Sequence, residues 1–185
     1  MLETQRLILR KWNDSDLDIL YQMNADPVVM RYFEKTLTRK ESDKMLLRFE
    51  QLLTDHGFTF FAAELKSTGD LIGMIGLGSP RGEGLYFAPC IEVGWRLRPE
   101  FWGKGYATEG AQASLELGFN KHGLKEIIAQ TAVQNTPSRK VMERLGMTYQ
   151  VGGDYDHPLV PEGHPVRRHV LYKITQEEFN QRRGG

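Results

Sequence analysis

Apolar residues recur along the chain in two periods. Met45, Leu46, Phe49, Leu52 and Leu53 fall on one helical face. Thr38, with Glu41 three residues on, forms a capping box ahead of them and Gly57 follows them. A helix is therefore predicted over residues 38–56. Leu17, Leu20 and Tyr21 share the face of an earlier helix, capped by Asn13 or Asp14, running through Asn24 and interrupted at Asp26-Pro27. Ala107, Ala111, Leu115 and Phe119 form one row of a helix over residues 106–121, whose small residues suit close packing on a sheet. Val141, Met142 and Leu145 are the inward face of a fourth helix, with Thr136 as cap, Pro137 at the first helical position and Gly146 at the end.

Shorter apolar runs predict strands at residues 7–9, 58–65, 71–77, 88–97, 127–133, 148–151 and 169–174. Ser67-Thr68-Gly69-Asp70 turns the second into the third as a hairpin. Residues 78–84 read as a glycine-rich loop, residues 154–168 as a surface loop rich in Pro, Gly and His, and residues 177–183 as a short polar tail. The order β-α-α-β-β-β-α-β-α-β-β predicts a mixed α/β fold in a single domain, residues 1–185.

Composition narrows the function classes. The 185 residues carry 24 Lys and Arg against 24 Asp and Glu, a formal charge of zero, so no general attraction to nucleic acid or an anionic membrane is implied. No apolar run approaches the roughly 18 residues of a membrane span, and Met1-Leu2-Glu3-Thr4-Gln5-Arg6 lacks the basic-then-apolar order of a signal peptide. The single cysteine, Cys90, cannot form an internal disulfide, which suits a reducing cytoplasm. In a strand-like run it reads as a small buried side chain rather than a nucleophile.

The chemistry concentrates at a strand-to-helix junction. Ile91-Glu92-Val93-Gly94-Trp95-Arg96-Leu97 leads through Arg98-Pro99-Glu100-Phe101-Trp102 into Gly103-Lys104-Gly105-Tyr106-Ala107-Thr108. Two glycines at the start of a helix permit unusual backbone angles and close approach, and the free N–H groups there suit a phosphate. The dinucleotide fingerprint Gly-x-Gly-x-x-Gly fails at Thr108, and the P-loop sequence is absent. Gly103-Lys104-Gly105 resembles instead the Arg/Gln-x-x-Gly-x-Gly/Ala loop that binds the acetyl-CoA pyrophosphate in GNAT N-acetyltransferases, with Glu100 departing at the Arg/Gln position.

The resemblance extends over nearly the whole chain. Thr4-Gln5-Arg6-Leu7-Ile8-Leu9-Arg10, Gly94-Trp95-Arg96-Leu97, the loop itself and Asn135-Thr136-Pro137-Ser138-Arg139-Lys140-Val141-Met142-Glu143-Arg144-Leu145-Gly146-Met147 are similar to the branch that acetylates ribosomal-protein N-termini. It implies a mostly antiparallel sheet flanked by helices and acetyl-CoA as co-substrate without a metal. The acceptor is then a primary amine, either a protein N-terminus or a small molecule, in a cytoplasmic enzyme that is a monomer or homodimer. Cofactor contacts are implied for Leu97, Arg98, Gly103, Lys104, Gly105, Tyr106, Ala107, Thr108, Asn135 and Ser138.

Acetyl transfer needs a neutral amine, a polarised thioester carbonyl and an outlet for the thiolate. Glu92 lies on the strand face opposite Ile91, Val93, Trp95 and Leu97 and is the candidate base; the bland reading is a solvated strand carboxylate. A backbone N–H near residues 94–97, where Gly94 marks a bulge, is the candidate carbonyl donor. Many relatives place a Tyr seven residues after Asn135; here that position is Met142, leaving the Ser138 hydroxyl, or no acid at all, for the thiolate. Asn135 and Ser138 also read as ordinary helix-start residues. Lys104, Arg139 and Lys140 are either phosphate contacts or solvated charges. Phe33, Phe60 and Tyr32 are either pocket lining or core. The spacing of His157, His164 and His169 matches no standard metal site, and any one of them is a candidate substrate contact. A non-catalytic acetyl-CoA sensor or partner-binding module, and a different nucleotide binder using the same loop, remain the alternatives.

Overall fold

In the computed structural model, which describes residues 1–80 and 84–182, the two hydrophobic periods resolve into one sheet covered on both faces. Among the described residues, β1 (Leu2–Glu3), β2 (Leu7–Arg10), β3 (Phe60–Leu65), β4 (Leu71–Gly78), β5 (Glu92–Leu97), β6 (Glu126–Ala132), β7 (Thr148–Tyr149), β8 (Tyr155–Asp156) and β9 (Arg168–Thr175) join in the order β1-β2-β3-β4-β5-β6-β9-β7, with β8 paired to β9. Every pairing is antiparallel except β5 with β6. The fold is thus mixed α/β with a mostly antiparallel sheet, as the element order predicts.

Helices segregate by the stripe they bury. α1 (Leu17–Ala25), α2 (Pro27–Met30) and α3 (Arg39–His56) cover one face, where Leu20, Met23, Met45, Phe49 and Leu52 pack on Phe60 and Met74. α4 (Tyr106–Glu116), α5 (Thr136–Arg144) and α6 (Gln176–Gln181) cover the other, through Ala111, Leu115, Met142, Leu145 and Phe179. The capping box predicted for α3 is present, with Thr38 and Glu41 exchanging bonds and Gly57 left-handed at the end. The small face of α4 lets it approach the sheet so closely that a Cβ on Gly110 would meet Ile75 Cδ1 at 2.5 Å.

Four expectations need correction. The strand read over residues 88–97 begins only at Glu92; Pro89 upstream has no N–H to give a ladder. The polar tail is mostly the helix α6, started by a Thr175–Glu178 capping box and anchored by Phe179, only 2% exposed; one apolar residue in a short polar stretch leaves almost no periodic signal. The loop at residues 154–168 contributes β8 and buries Tyr155, Val160 and Val166, the last two against Ala132. The predicted helix over residues 106–121 keeps α-helical bonding to Glu116 and then widens into a π-helical turn over Leu117–Lys121. Residues 81–83 of the glycine-rich loop and residue 183 of the tail lie outside the described residues.

The feature that positions the site is the join between β5 and β6. The two strands share one register pair, Glu92 with Ile128, closed by the Ile128 N–H bonding to the Ile91 carbonyl at 3.0 Å. Beyond it, toward the C-terminal ends of both strands, they diverge. β5 stays fully paired with β4 on its other edge, from Glu92–Gly78 to Leu97–Gly73.

Candidate active site

The divergence leaves a cleft with one main-chain wall. The Arg98 N–H bonds to the Ile72 carbonyl, and the Ile91 carbonyl faces β6. Alternation along a strand then turns the N–H and C=O groups of Val93, Trp95 and Leu97 away from β4 and into the cleft. The candidate carbonyl donor falls in this stretch, but Gly94 is not a bulge: the β4–β5 register is continuous through it. Glycine is required there for space, because a Cβ would sit 2.9 Å from the Phe60 ring.

The mouth of the cleft is the glycine loop. From Leu97 the chain makes a 3₁₀ turn over Pro99–Phe101, and the Trp102 indole N–H closes back on the Leu97 carbonyl at 2.7 Å. Glu100, the departure from the motif, pairs with Arg98 at 2.6 Å, while Arg98 also donates to the Leu71 carbonyl at 3.0 Å. Gly103 and Gly105 have φ of 75° and 83°, a region that side-chain-bearing residues enter only at a cost. Gly105 caps α4, and the first intrahelical bond is Glu109 N–H to the Gly105 carbonyl at 3.0 Å. The N–H groups of Tyr106, Ala107 and Thr108 precede that bond, have no helical acceptor, and lie at the positive end of the helix. Lys104 is exposed, its ammonium 5.5 Å from the Phe101 ring centroid.

The closed end is built from side chains. Glu92 shares its strand face with Gly94 and Arg96, on the side of α1–α3. Gln130 of β6 donates its amide N–H to Glu92 Oε2 at 3.0 Å and accepts the Tyr155 hydroxyl on its amide oxygen. The carboxylate fixes this orientation, since it can only accept. Around Tyr155 lie Tyr86, Phe87, His157 and His169, their ring centroids 5.1 to 6.2 Å from its own. Burial pushes the Tyr155 phenol up, reinforced by the Glu92 charge. Burial likewise raises the Cys90 thiol to about 11, consistent with an inert side chain. Burial and the neighbouring His169 push His157 down to about 4, and burial lowers His169. Burial thus disfavours the charged forms of the rings at this end.

The start of α5 flanks the cleft beyond β6. Its cap is Asn135, not Thr136: Asn135 Oδ1 accepts the Ser138 N–H at 3.3 Å, and its Nδ2 donates to Thr131 Oγ1 at 2.8 Å. The helix thus starts one residue earlier than the sequence implies, with Thr136 as its first residue and Pro137 as its second. The half-buried Ser138 hydroxyl has no hydrogen-bond partner among the described residues. Met142 is 2% exposed and part of the core. Arg139 donates to the Tyr172 hydroxyl at 3.4 Å and the Val133 carbonyl at 3.2 Å, and Lys140 is exposed. Of the candidate pocket aromatics, Phe60 is core, Phe33 lies 4.2 Å under the Arg96 guanidinium, and Tyr32 stacks with Arg31. Among the described residues no group of three or more His, Cys, Asp or Glu side chains is placed to hold a metal.

Sequence reasoning missed Gln130 and Tyr155. The available signal was one amide inside the apolar run Ile127-Ile128-Ala129-Gln130-Thr131-Ala132, since a polar side chain in a covered strand needs a partner.

Known proteins share this fold. The model of the acetyltransferase (GNAT) domain family matches residues 6–148. An uncharacterized N-acetyltransferase of Bacillus subtilis, YnaD, is 31% identical over 179 residues, covering 97% of this chain and 99% of its own. The crystal structure of a GNAT-family acetyltransferase from Bacillus anthracis is 29% identical with a TM-score of 0.75, covering 95% of this chain and 98% of that one. The aminoglycoside acetyltransferase AAC(6′)-Ib, solved in complex with coenzyme A, has the same fold, with a TM-score of 0.75 at 20% identity over 96% of this chain and 99% of its own.

Proposed function

This chain belongs to the GNAT acetyltransferase family, and on that premise we propose that it transfers an acetyl group from acetyl-CoA to a primary amine by direct attack while both substrates are bound. Acetyl-CoA supplies the activated thioester. The residues present fit it: the unbonded N–H groups at Tyr106, Ala107 and Thr108 suit a pyrophosphate, and the cleft-facing main chain of Val93, Trp95 and Leu97 suits the amides of a pantetheine arm. From Leu97 to Glu92, β5 spans roughly 17 Å at ~3.3 Å per residue, so an extended arm entering at the loop reaches the closed end.

The observation that carries the proposal is Glu92 at that closed end, held by Gln130 on the opposite face to the packed core of α4. Its carboxylate accepts the proton of the attacking amine, directly or through water. A cleft-facing N–H of β5 polarises the carbonyl. Desolvation by the ring cluster around Tyr155 works toward the neutral amine, as burial does on His157, against the pull of the Glu92 carboxylate toward the ammonium.

The proposed acceptor class is an exposed primary amine, with protein N-termini, as in the ribosomal-protein branch, and small-molecule amines as the two candidates. An amine panel that includes peptides with free N-termini, followed by release of the CoA thiol, separates them. The reading fails if no amine in the panel accelerates thiol release above hydrolysis.

A further inference from the structure

Two motifs about a hundred residues apart in sequence meet at the mouth of the cleft. Glu109, in the first turn of α4, points its side chain back over the loop, as helical side chains do. Its Oε1 accepts the Arg6 N–H at 2.7 Å and the Thr4 hydroxyl at 2.6 Å, and its Oε2 accepts Arg6 Nε at 2.6 Å. Arg6 Nη1 then donates to the Lys104 carbonyl at 3.0 Å, inside the glycine loop. The same guanidinium lies 4.5 Å from the Tyr106 ring centroid, and its Nη2 would be 3.4 Å from a Cβ on Gly105. The segment that carries Arg6 is itself fixed to the sheet: the Lys66 N–H bonds to the Arg6 carbonyl, the Lys66 ammonium to the Thr4 carbonyl, and the Leu7 N–H to the Thr4 hydroxyl.

We propose that Arg6 and Glu109 form a brace that holds the glycine loop in its pyrophosphate-binding shape, with Arg6 as a positioning residue for acetyl-CoA affinity. This rests on the reading that residues 103–108 bind the pyrophosphate. The physical need is specific. Gly103 and Gly105 are chosen for a left-handed backbone, but glycine has the most conformations to lose, so the loop is intrinsically loose. A bond from Arg6 to the Lys104 carbonyl, between the two glycines, removes that freedom before the ligand arrives, and preorganisation raises affinity by lowering the ordering cost. Arg6 also neutralises Glu109, whose negative charge otherwise stands in the helix turn offered to an anion. Partial burial lifts the Glu109 carboxyl, and the bonds from Thr4 and Arg6 outweigh it, so the pKa ends below the ordinary carboxylate value and the group stays ionised.

The fork geometry makes the test sharp. Lys keeps the charge of Arg6 but cannot bond Glu109 and the Lys104 carbonyl together. Acetyl-CoA affinity is measured by calorimetry, and S-acetylpantetheine, which lacks the pyrophosphate, is measured by NMR titration on the same proteins, with the melting temperature of each. Arg6→Ala and Arg6→Lys are expected to weaken acetyl-CoA by roughly tenfold or more and to leave S-acetylpantetheine binding nearly unchanged. Arg6→Ala/Glu109→Gln, which removes the stranded carboxylate, is expected to recover part of the loss of Arg6→Ala. An Arg6→Lys protein with wild-type acetyl-CoA affinity overturns the brace, as does equal weakening of both ligands. A wild-type protein that binds the two ligands equally overturns the pyrophosphate reading itself and the brace with it.

Discussion

The mouth and the closed end of the cleft are made of different materials. At the mouth the groups proposed to meet the ligand are main-chain amides, and side chains such as Arg6, Glu109 and Arg98 stand behind them. At the closed end the proposed working group is one carboxylate, Glu92, and its supports are the side chains of Gln130 and Tyr155. Main-chain groups are indifferent to most substitutions but intolerant of the wrong backbone angles. A side-chain site is the reverse. The difference teaches where each end fails: the mouth in affinity, through φ, and the closed end in rate, through proton transfer.

The largest expected effect breaks the closed end alone. Glu92→Gln keeps the shape and a hydrogen-bonding oxygen but cannot accept a proton. Loss of a general base costs about 10² to 10⁴-fold in rate. kcat is expected to fall by that order with acetyl-CoA affinity little changed. An unaltered kcat and pH profile would remove Glu92 from the mechanism.

Breaking the mouth alone should do the opposite. Gly105→Val places a β-branched residue at φ 83°, at a cost of roughly 1–2 kcal/mol. If the loop relaxes out of its binding shape to escape that cost, the loss in acetyl-CoA affinity is about tenfold or more. Calorimetric titration of the folded variant checks it; unchanged affinity would show that the ligand does not use this loop.

A smaller effect sharpens the contrast by acting through a support. Gln130 donates to Glu92 Oε2 and fixes where that oxygen points. Gln130→Leu removes this support, so a several-fold loss of kcat is expected with acetyl-CoA affinity unchanged. Tyr155→Phe, one bond further out, should cost less. A lowered melting temperature with unchanged kcat would make Gln130 a packing residue.

The two ends also differed in how far the sequence disclosed them. The loop was legible because its requirements are local: Gly103 and Gly105 announce left-handed backbone, and the strand before and helix after them are strongly periodic. Glu92 was legible because strand alternation separates it from Ile91 and Val93. Gln130 and Tyr155 were not, since they meet Glu92 only through the β5–β6 join and the β8–β9 pairing, which no local pattern encodes. The same holds for Arg6: its place in an opening motif was visible, but its bond to Lys104 is a property of the sheet. Short elements were lost for a related reason. β8 has two residues and α6 buries mainly Phe179, too little for either period to register.

The smallest expected effect concerns Ser138, which lies at the start of α5 and belongs to neither material. If its hydroxyl protonates the departing thiolate, Ser138→Ala should lower kcat and spare acetyl-CoA binding. If it is only a helix-start residue, little should change, because the capping acceptor is the Asn135 side chain and Ser138 contributes its main-chain N–H, which alanine retains. Met142, seven residues after Asn135, is buried in the core and offers no phenol at that position. A CoA thiol, with a pKa near that of other thiols at about 8–9, already leaves tolerably as the thiolate at neutral pH, so an acid is not demanded by the chemistry. The expected outcome is a stability change below about 1 kcal/mol and an unchanged kcat. Steady-state rate and melting temperature on this one variant decide it: a fall of about a hundredfold in kcat, the size of a lost general acid, with unaltered melting would make Ser138 a catalytic residue.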